Sequence, residues 1–405
     1  LLNEAQKFIL AGASTTELKR GMDSALRSVL EELKGLSRPV ESLEEIQSVA
    51  TISANGDETI GKLIAEAVEM VGNNGAIAVE EAKSLDTTLD IIEGFQFDSG
   101  YFSTSFITNP RRASTEYDEC LVMVTDHKID QVAQILPQLE IAARDGRPLV
   151  IVAEQIEGQA LAALIMNTVR GSMKVAAVKA PGYGEERTAA LEDLALSIGA
   201  TFVSTRKDIA LSDVKMNDFG TCKSVEILKN RTTFVGGIGN NDRIQERIEM
   251  LKELVKQTDD IIECEKIQQR ITRLASGVAV IKVGASTDVE MVERKHRIED
   301  ALEAVAAAQE EGIVPGGGLA LIRCRHFNLD NLNGDRQTGA MIVRNSLVAP
   351  MRQMSGNAGL SYEVVLNKID ASDHDIGWDF ASNQLVNMYD AGIIDPAKVT
   401  RNALT

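Results

Sequence analysis

Four cysteines in 405 residues, at 120, 222, 264 and 324 with no C-x-x-C pair, give no sequence basis for a disulfide scaffold. Histidine is equally sparse, at 127, 296, 326 and 374, and the two sets together show no zinc-ligand spacing. Aromatics make up 4% of the chain against 44% apolar residues, so its cores must be built from Ala, Val, Ile and Leu, which suits helices and buried strands. Positive charge is in deficit: the net charge of −18 argues against nucleic acid and against anionic membrane surfaces, both of which need clustered Lys and Arg. No run of about 18 apolar residues occurs, so no transmembrane helix is expected. With no signal-peptide pattern either, a reducing, soluble compartment is the expectation. A G-x-x-x-x-G-K-[ST] phosphate loop is also missing.

The length exceeds what one core usually serves, so two or three domains are expected. The chain opens at Leu1 inside a helical pattern, LLNEAQKFILAG, which suggests further polypeptide upstream. Residues 14 to 34 read as a helix, with Ser14 and Glu17 in a capping-box pattern and a stripe of Leu18, Met22, Leu26, Val29 and Leu33. Pro39 ends that segment, and a helix over 58–71 and a strand over 76–79 follow. Between about 120 and 205, short apolar runs at 121–124, 149–152, 175–178 and 201–203 alternate with helical patterns at 129–144, 157–170 and 186–198. That alternation predicts a βαβ layer with a parallel sheet. A hairpin pairing 224–228 with 232–235 and two helices, 242–257 and 260–275, close a self-contained unit. A strand after Gly277 leads back to long helices, so this unit is read as an insertion in a domain made from both ends of the sequence. Gly94 on entry and Gly277 on exit are either hinges or simple turn glycines.

Two stretches carry candidate function. From Arg297 to Arg323, a charged helix with Glu299 and Asp300 passes through Glu310-Glu311-Gly312 into a Pro315-Gly316-Gly317-Gly318 loop and a second helix. Glycines leave peptide N–H groups uncovered at a helix N-terminus, where an anionic or nucleotide ligand is favoured and Asp300 could place a water or metal; a tight strand-to-helix turn explains the same residues. Helices 129–144 and 157–170 carry Leu136 and Leu139, and Leu161, Leu164, Ile165 and Met166, more apolar positions than one buried face needs. They are read either as a groove for an apolar segment or as cover for the sheet. Gly236-Gly237-Ile238-Gly239 lacks the strand-turn-helix context of a dinucleotide fingerprint and reads as a hairpin exit, and Gly182-Tyr183-Gly184 as a loop after a strand.

Taken whole, RIEDALEAVAAAQEEGIVPGGGLALIR closely resembles the same region of the group I chaperonins, the GroEL-like family of ATP-driven folding rings. The likeness continues through Thr51-Ile52-Ser53-Ala54-Asn55 with DETIGKLIAEA, Val178-Lys179-Ala180-Pro181-Gly182-Tyr183-Gly184, the run 277–284 (GVAVIKVG) and Asp395-Pro396-Ala397-Lys398-Val399-Thr400-Arg401, over essentially the whole chain. The resemblance implies a multidomain α/β and α fold: a helical equatorial domain at 1–35 and 312–405, a small intermediate domain at 36–92 and 279–311, and an α/β apical domain at 93–278. It implies an ATP-hydrolysing molecular chaperone, with ATP and Mg²⁺ as cofactors and K⁺ as a further ion. The partners implied are a homo-oligomeric ring of about seven subunits, unfolded protein clients and a co-chaperonin lid, in a cytoplasm or an organelle matrix. A truncated, ATP-independent holdase acting through the apical groove alone is the alternative.

By resemblance Asp300 activates the water that attacks the γ-phosphate. Gly316 and Gly317 let the nucleotide approach the backbone, Asp395 holds the ribose hydroxyls, and Asp379, Phe380 and Ala381 fall at the adenine-facing strand. Tyr101, Ser105, Phe106, Leu136, Leu139, Leu161, Ile165 and Met166 match positions that bind non-native chains and the co-chaperonin, and Gly94, Gly277, Pro39 and Gly312 match the hinges. The chain departs from the family at Asp379 (usually Asn), Phe380 and Pro315 (usually Ala), Ser105 (usually aromatic) and Ser276 (usually Gly). The family's Gly-Pro-Lys-Gly phosphate loop and Asp-Gly-Thr-Thr metal motif fall upstream of Leu1, and its terminal helix and Gly-Met tail beyond Thr405, so full ATPase activity is expected to need a longer polypeptide.

Overall fold

A computed structural model describes residues 1–72, 75–82, 84–258, 260–275, 277–327 and 332–405. Two compact units emerge, one from Leu1–Glu69 with Ala285–Thr405, the other from Met70–Gly284, so the second is an insertion in the first. Helix accounts for 53% and strand for 20%, the mixed α/β and α character that the sequence predicts.

The N-terminal segment forms α1 (Leu2–Leu10), α2 (Thr15–Leu36), α3 (Leu43–Ser53) and α4 (Glu58–Val71). On α2 the buried positions are Leu18, Gly21, Ala25, Val29 and Leu33, one helical face at three- and four-residue spacing. The predicted capping box does not form. Ser14 caps nothing with its side chain and instead donates its amide to Asp335 at 2.8 Å, while Glu17 pairs with Arg20 and Arg336, so ion pairing has taken the groups the box needed.

The inserted unit runs β1 (Ala76–Glu81), β2 (Thr88–Ile92), β3 (Gly94–Phe97), β4 (Thr115–Thr125), β5 (Lys128–Ile129), α5 (Leu136–Asp145), β6 (Leu149–Ala153), β7 (Gln155–Ile156), α6 (Gly158–Val169), β8 (Val175–Lys179), α7 (Gly184–Ile198), β9 (Phe202–Val203), β10 (Gly220–Ile227), β11 (Thr232–Val235), α8 (Asn241–Gln257), α9 (Ile261–Ala275) and β12 (Val278–Val283). Its main sheet has the order β3-β11-β10-β4-β6-β8, with β9 also on β4. The β4, β6, β8 and β9 pairings are parallel, as predicted, and their runs are buried throughout because helices cover both faces. The other half, β10, β11 and β3, is antiparallel. A smaller sheet, β1-β12-β2, joins the two ends of the unit. The helix predicted over 129–144 starts only at Leu136: Ile129 pairs with Ile156 in a short parallel ladder, a single tight turn spans Val132–Gln134, and Pro137, which lacks an N–H, sits in the first helical turn.

The returning segment forms α10 (Asp288–Glu311), β13 (Ile313–Pro315), α11 (Leu319–Arg323), α12 (Asp335–Ser346), α13 (Ala349–Asn357), α14 (Tyr362–Asp370), β14 (Ile376–Asp379), β15 (Gln384–Asn387), β16 (Ile394–Pro396) and α15 (Ala397–Leu404). Helices α2 and α12 cross at two glycines: a Cβ on Gly21 would lie 1.9 Å from the Arg336 carbonyl oxygen, and one on Gly339 2.1 Å from that of Leu18. Only glycine allows the two backbones this close. Helix α10 packs on α3, α15 and β16, and this positions the first candidate site.

Candidate functional site

Strand β13 pairs antiparallel with β16, setting Val314 opposite Asp395 and Pro315 opposite Ile394. Immediately after β13, Gly316 donates its amide to the Ile393 carbonyl at 2.9 Å, and a Cβ there would come within 3.0 Å of that oxygen. Gly317 and Gly318 take φ values of +60° and +75°, the left-handed region that side chains disfavour. The result is a bare backbone loop beside β16. Helix α11 beyond it is only five residues long, so the expected contribution of a helix dipole shrinks to that of one turn.

Asp395 is half-buried between two buried neighbours, Ile394 and Pro396. Burial pushes its carboxyl pKa above the ordinary 3.8, with no opposing cause. Among the described residues no hydrogen bond or ion pair reaches this carboxylate. A charged acceptor partly withdrawn from water without a protein partner is costly unless something else supplies donors.

The β14–β15 hairpin stands over the same loop. Trp378 in β14 places its carbonyl 3.8 Å from where a Gly317 Cβ would be, and the Met388 methyl lies 3.0 Å from that point. Leu319, Met351, Trp378 and Met388 form the core beneath, and the buried Trp378 indole N–H has no acceptor among the described residues. One sequence expectation is corrected here, and a second residue has its carboxylate engaged locally. Phe380 and Ala381 lie in the hairpin turn rather than on a strand. Asp379, the last residue of β14, spends its carboxylate on that turn, accepting from the Ala381 amide at 2.9 Å, the Ser382 amide at 3.2 Å and the Ser382 hydroxyl at 2.5 Å. The Ser382 hydroxyl, then the Ala381 amide, hold its pKa below the ordinary value, so Asp379 is a turn-forming acid.

Asp300 is exposed on α10, the helix that packs on the Asp395 strand, and follows the buried Glu299. One turn earlier Arg297 pairs with Glu293 and, at 3.5 Å, with Asp57. Gly316, Gly317, Asp395 and the β14–β15 hairpin are thus brought together, with Asp300 on a neighbouring element. Among the described residues no group of three or more His, Cys, Asp or Glu side chains is arranged to hold a metal ion.

The predicted hinge residues also meet in pairs. Pro39 follows Arg38, whose backbone exchanges two hydrogen bonds with Ile313, at 3.0 and 2.8 Å, and a Cβ on Gly312 would strike the Arg38 carbonyl at 2.4 Å. Gly94 packs against Val278, the residue after Gly277, and Gly277 takes φ +60° beside Ile92. Ser276 lies outside the described residues.

In the inserted unit the apolar candidates divide. Leu136 and Met166 are 48% and 45% exposed, Leu161 and Ile165 half-buried at the edge of the core, and Ser105 exposed. Helices α5 and α6 both pack on the Val132–Gln134 turn. Tyr101, Phe106 and Leu139 are instead buried: Tyr101 bridges to Val178 at the sheet edge, and Phe106 fills the core while its carbonyl accepts the Thr115 hydroxyl at 2.8 Å. None of these three presents surface in this conformation. The Gly182–Gly184 loop leaves Tyr183 exposed, with the Arg187 guanidinium 5.6 Å from its ring centroid. Sequence reasoning passed over Asp193, which is buried on α7 between Arg270 of α9 (2.7 Å) and Arg247 of α8 (3.0 Å).

A family model described as the TCP-1/cpn60 chaperonin family matches residues 1–405.

Proposed function

The chain belongs to the TCP-1/cpn60 chaperonin family and so takes a chaperone role in protein folding, and from that premise we propose that it is a subunit of an ATP-driven, ring-forming chaperonin of the group I kind. The observation that carries the nucleotide half of this reading is the Asp395 carboxylate, without a partner among the described residues, beside the bare Gly316–Gly317 backbone. Two ribose hydroxyls would supply the donors Asp395 lacks, and the Gly317 and Gly318 amides, beyond the Gly316 amide that is bound to Ile393, would face the rest of the nucleotide. These residues fit ATP. They do not make a metal site of their own, so Mg²⁺, with K⁺ beside it, is proposed only as a counter-ion carried by the phosphates.

Asp300 is proposed to orient and deprotonate the water that attacks the terminal phosphate, a role that needs an accessible carboxylate on an element next to the nucleotide loop. Clients would be captured by Leu136, Leu161, Ile165 and Met166 with Ser105 at the margin, through apolar burial at roughly 25 cal/mol per Å². Tyr101, Phe106 and Leu139 would join only if their segments move outward. Within the two units we propose three functional domains, equatorial (1–35 and 312–405), intermediate (36–92 and 279–311) and apical (93–278), hinged at the Pro39/Gly312 and Gly94/Gly277 pairs. ATP would release the client only by binding the client-weak conformation more tightly. A ring of about seven subunits, a co-chaperonin lid, and a cytoplasmic or organelle-matrix setting complete the proposal.

The test is ATP hydrolysis and ATP-dependent release of a captured denatured protein by the full-length protein, as parent and as Asp300→Ala. Asp300→Ala should retain ATP binding while turnover falls at least about 100-fold. Unchanged turnover would remove Asp300 from the mechanism, and capture indifferent to ATP in the parent would replace the whole reading with that of a passive holdase.

A further inference from the structure

The four cysteines look unrelated along the chain, yet two of them meet. Cys120 on β4 and Cys222 on β10 are registered partners across the antiparallel ladder, with their sulfurs 3.1 Å apart although 102 positions separate them in sequence. Both thiols are buried in the core of the inserted unit. Residues directly opposite in an antiparallel pair have Cα atoms about 4.5 to 5.5 Å apart, inside the span of about 4.4 to 6.8 Å that a disulfide bridges. The sulfurs therefore need to close by only about 1 Å, without a change of strand register. Cys264 and Cys324 have no second sulfur in bonding range among the described residues: the Cys264 thiol donates to the Thr258 carbonyl at 3.2 Å, and Cys324 is buried on the glycine-loop side of the fold.

We propose that Cys120 and Cys222 are a redox staple, a dithiol that a small-molecule disulfide such as oxidised glutathione converts to a cross-strand disulfide locking β4 to β10. The exchange balances. One cysteine, as its thiolate, attacks a sulfur of the oxidant and expels one glutathione; the other then attacks the mixed disulfide and expels a second. The two cysteine protons end on the two released thiols, the protein sulfurs are oxidised and the glutathione disulfide is reduced.

The surroundings set the timing. The hydrogen bond to Cys120, then burial, push the Cys222 pKa far up, and because both sulfurs are buried an oxidant reaches them only when β4 and β10 part. A place for parting exists next to the pair. Glu119 has φ +50°, and Lys223 opposite it is not registered, although Cys120–Cys222 on one side and Asp118–Ser224 on the other are. The staple joins the antiparallel half of the sheet to the parallel half that leads into α5 and α6. Oxidation would make that junction covalent until the disulfide is reduced.

The test uses the whole chain, both kept native and refolded from urea, in reduced or oxidised glutathione, followed by alkylation and non-reducing peptide mapping. The proposal expects a Cys120–Cys222 cross-linked peptide that reduction removes, loss of two of the four titratable thiols, and a higher unfolding midpoint for the oxidised chain. Cys264→Ala should keep all three results, and Cys120→Ala should lose them while keeping the parent's far-UV circular dichroism. Absence of the cross-link from both samples, or a cross-link that uses Cys264 or Cys324, would overturn the staple.

Discussion

The amide of Gly316 donates to the carbonyl of Ile393 at 2.9 Å, and this one bond holds the glycine loop two residues from Asp395. Strand β13 ends, the backbone is stripped of side chains, and the facing strand β16 offers a carboxylate with no partner among the described residues. An arrangement that stabilised only the fold would pair the acid or replace it.

Asp395 therefore carries a testable stability signature. Burial raises its folded pKa above the ordinary 3.8, so the folded chain holds a proton there that the unfolded chain gives up. Its contribution to stability is greatest in acid, falls as pH rises from the ordinary value through the raised folded value, and stays low at neutral pH. Without ligand, Asp395→Asn should melt at the parent's temperature or above at neutral pH, the difference closing toward about pH 4. A clear loss of stability at neutral pH would mean that the carboxylate has a structural partner.

Asp193 is the contrasting acid, buried with Arg247 and Arg270 around it. Asp193→Ala takes from Arg270 its carboxylate partner, while Arg247 keeps Glu192 at 3.2 Å, and should cost about 3 kcal/mol in denaturant unfolding, with amide-exchange protection lost first in α7 and α9. A cost within about 0.5 kcal/mol would show that water satisfies Arg270.

On the client-binding side, Leu136→Glu changes an exposed residue and should leave the unfolding midpoint nearly unmoved while weakening capture of a denatured protein about 10-fold. Ile165→Glu, half-buried, should weaken capture and stability together, and Leu139→Glu should chiefly unfold the unit, because Leu139 is 7% exposed. Full capture by Leu136→Glu would move the client surface elsewhere.

Much of this architecture was legible in the sequence because each local signal agreed with its tertiary setting. The runs at 121–124, 149–152 and 175–178 are doubly buried strands and therefore continuously apolar, and α6, α8 and α9 begin and end within a residue or two of their periodic patterns. What escaped depends on partners distant in sequence. Strand β2 is largely exposed and does not alternate clearly, and β3, although Phe95 and Phe97 are buried in alternation, is only four residues long. Ser14 looked like a cap until Asp335, 321 positions away, took its amide. The Gly21–Gly339 crossing and the Cys120–Cys222 contact leave no local trace. At the candidate site the glycine loop and Asp395 could be picked out by resemblance, whereas the diversion of Asp379 into its own turn needed the Ser382 hydroxyl in place.

The most direct test of the nucleotide site uses Trp378, the only tryptophan in the chain, whose backbone abuts Gly317. Titrating ATP against its fluorescence should give a saturable change in the parent, and Asp395→Asn should weaken that binding by about 10- to 100-fold, the worth of hydrogen bonds to a charged acceptor. No saturable change up to millimolar ATP, or equal affinity in the two proteins, would contradict a nucleotide seated between the glycine loop and Asp395.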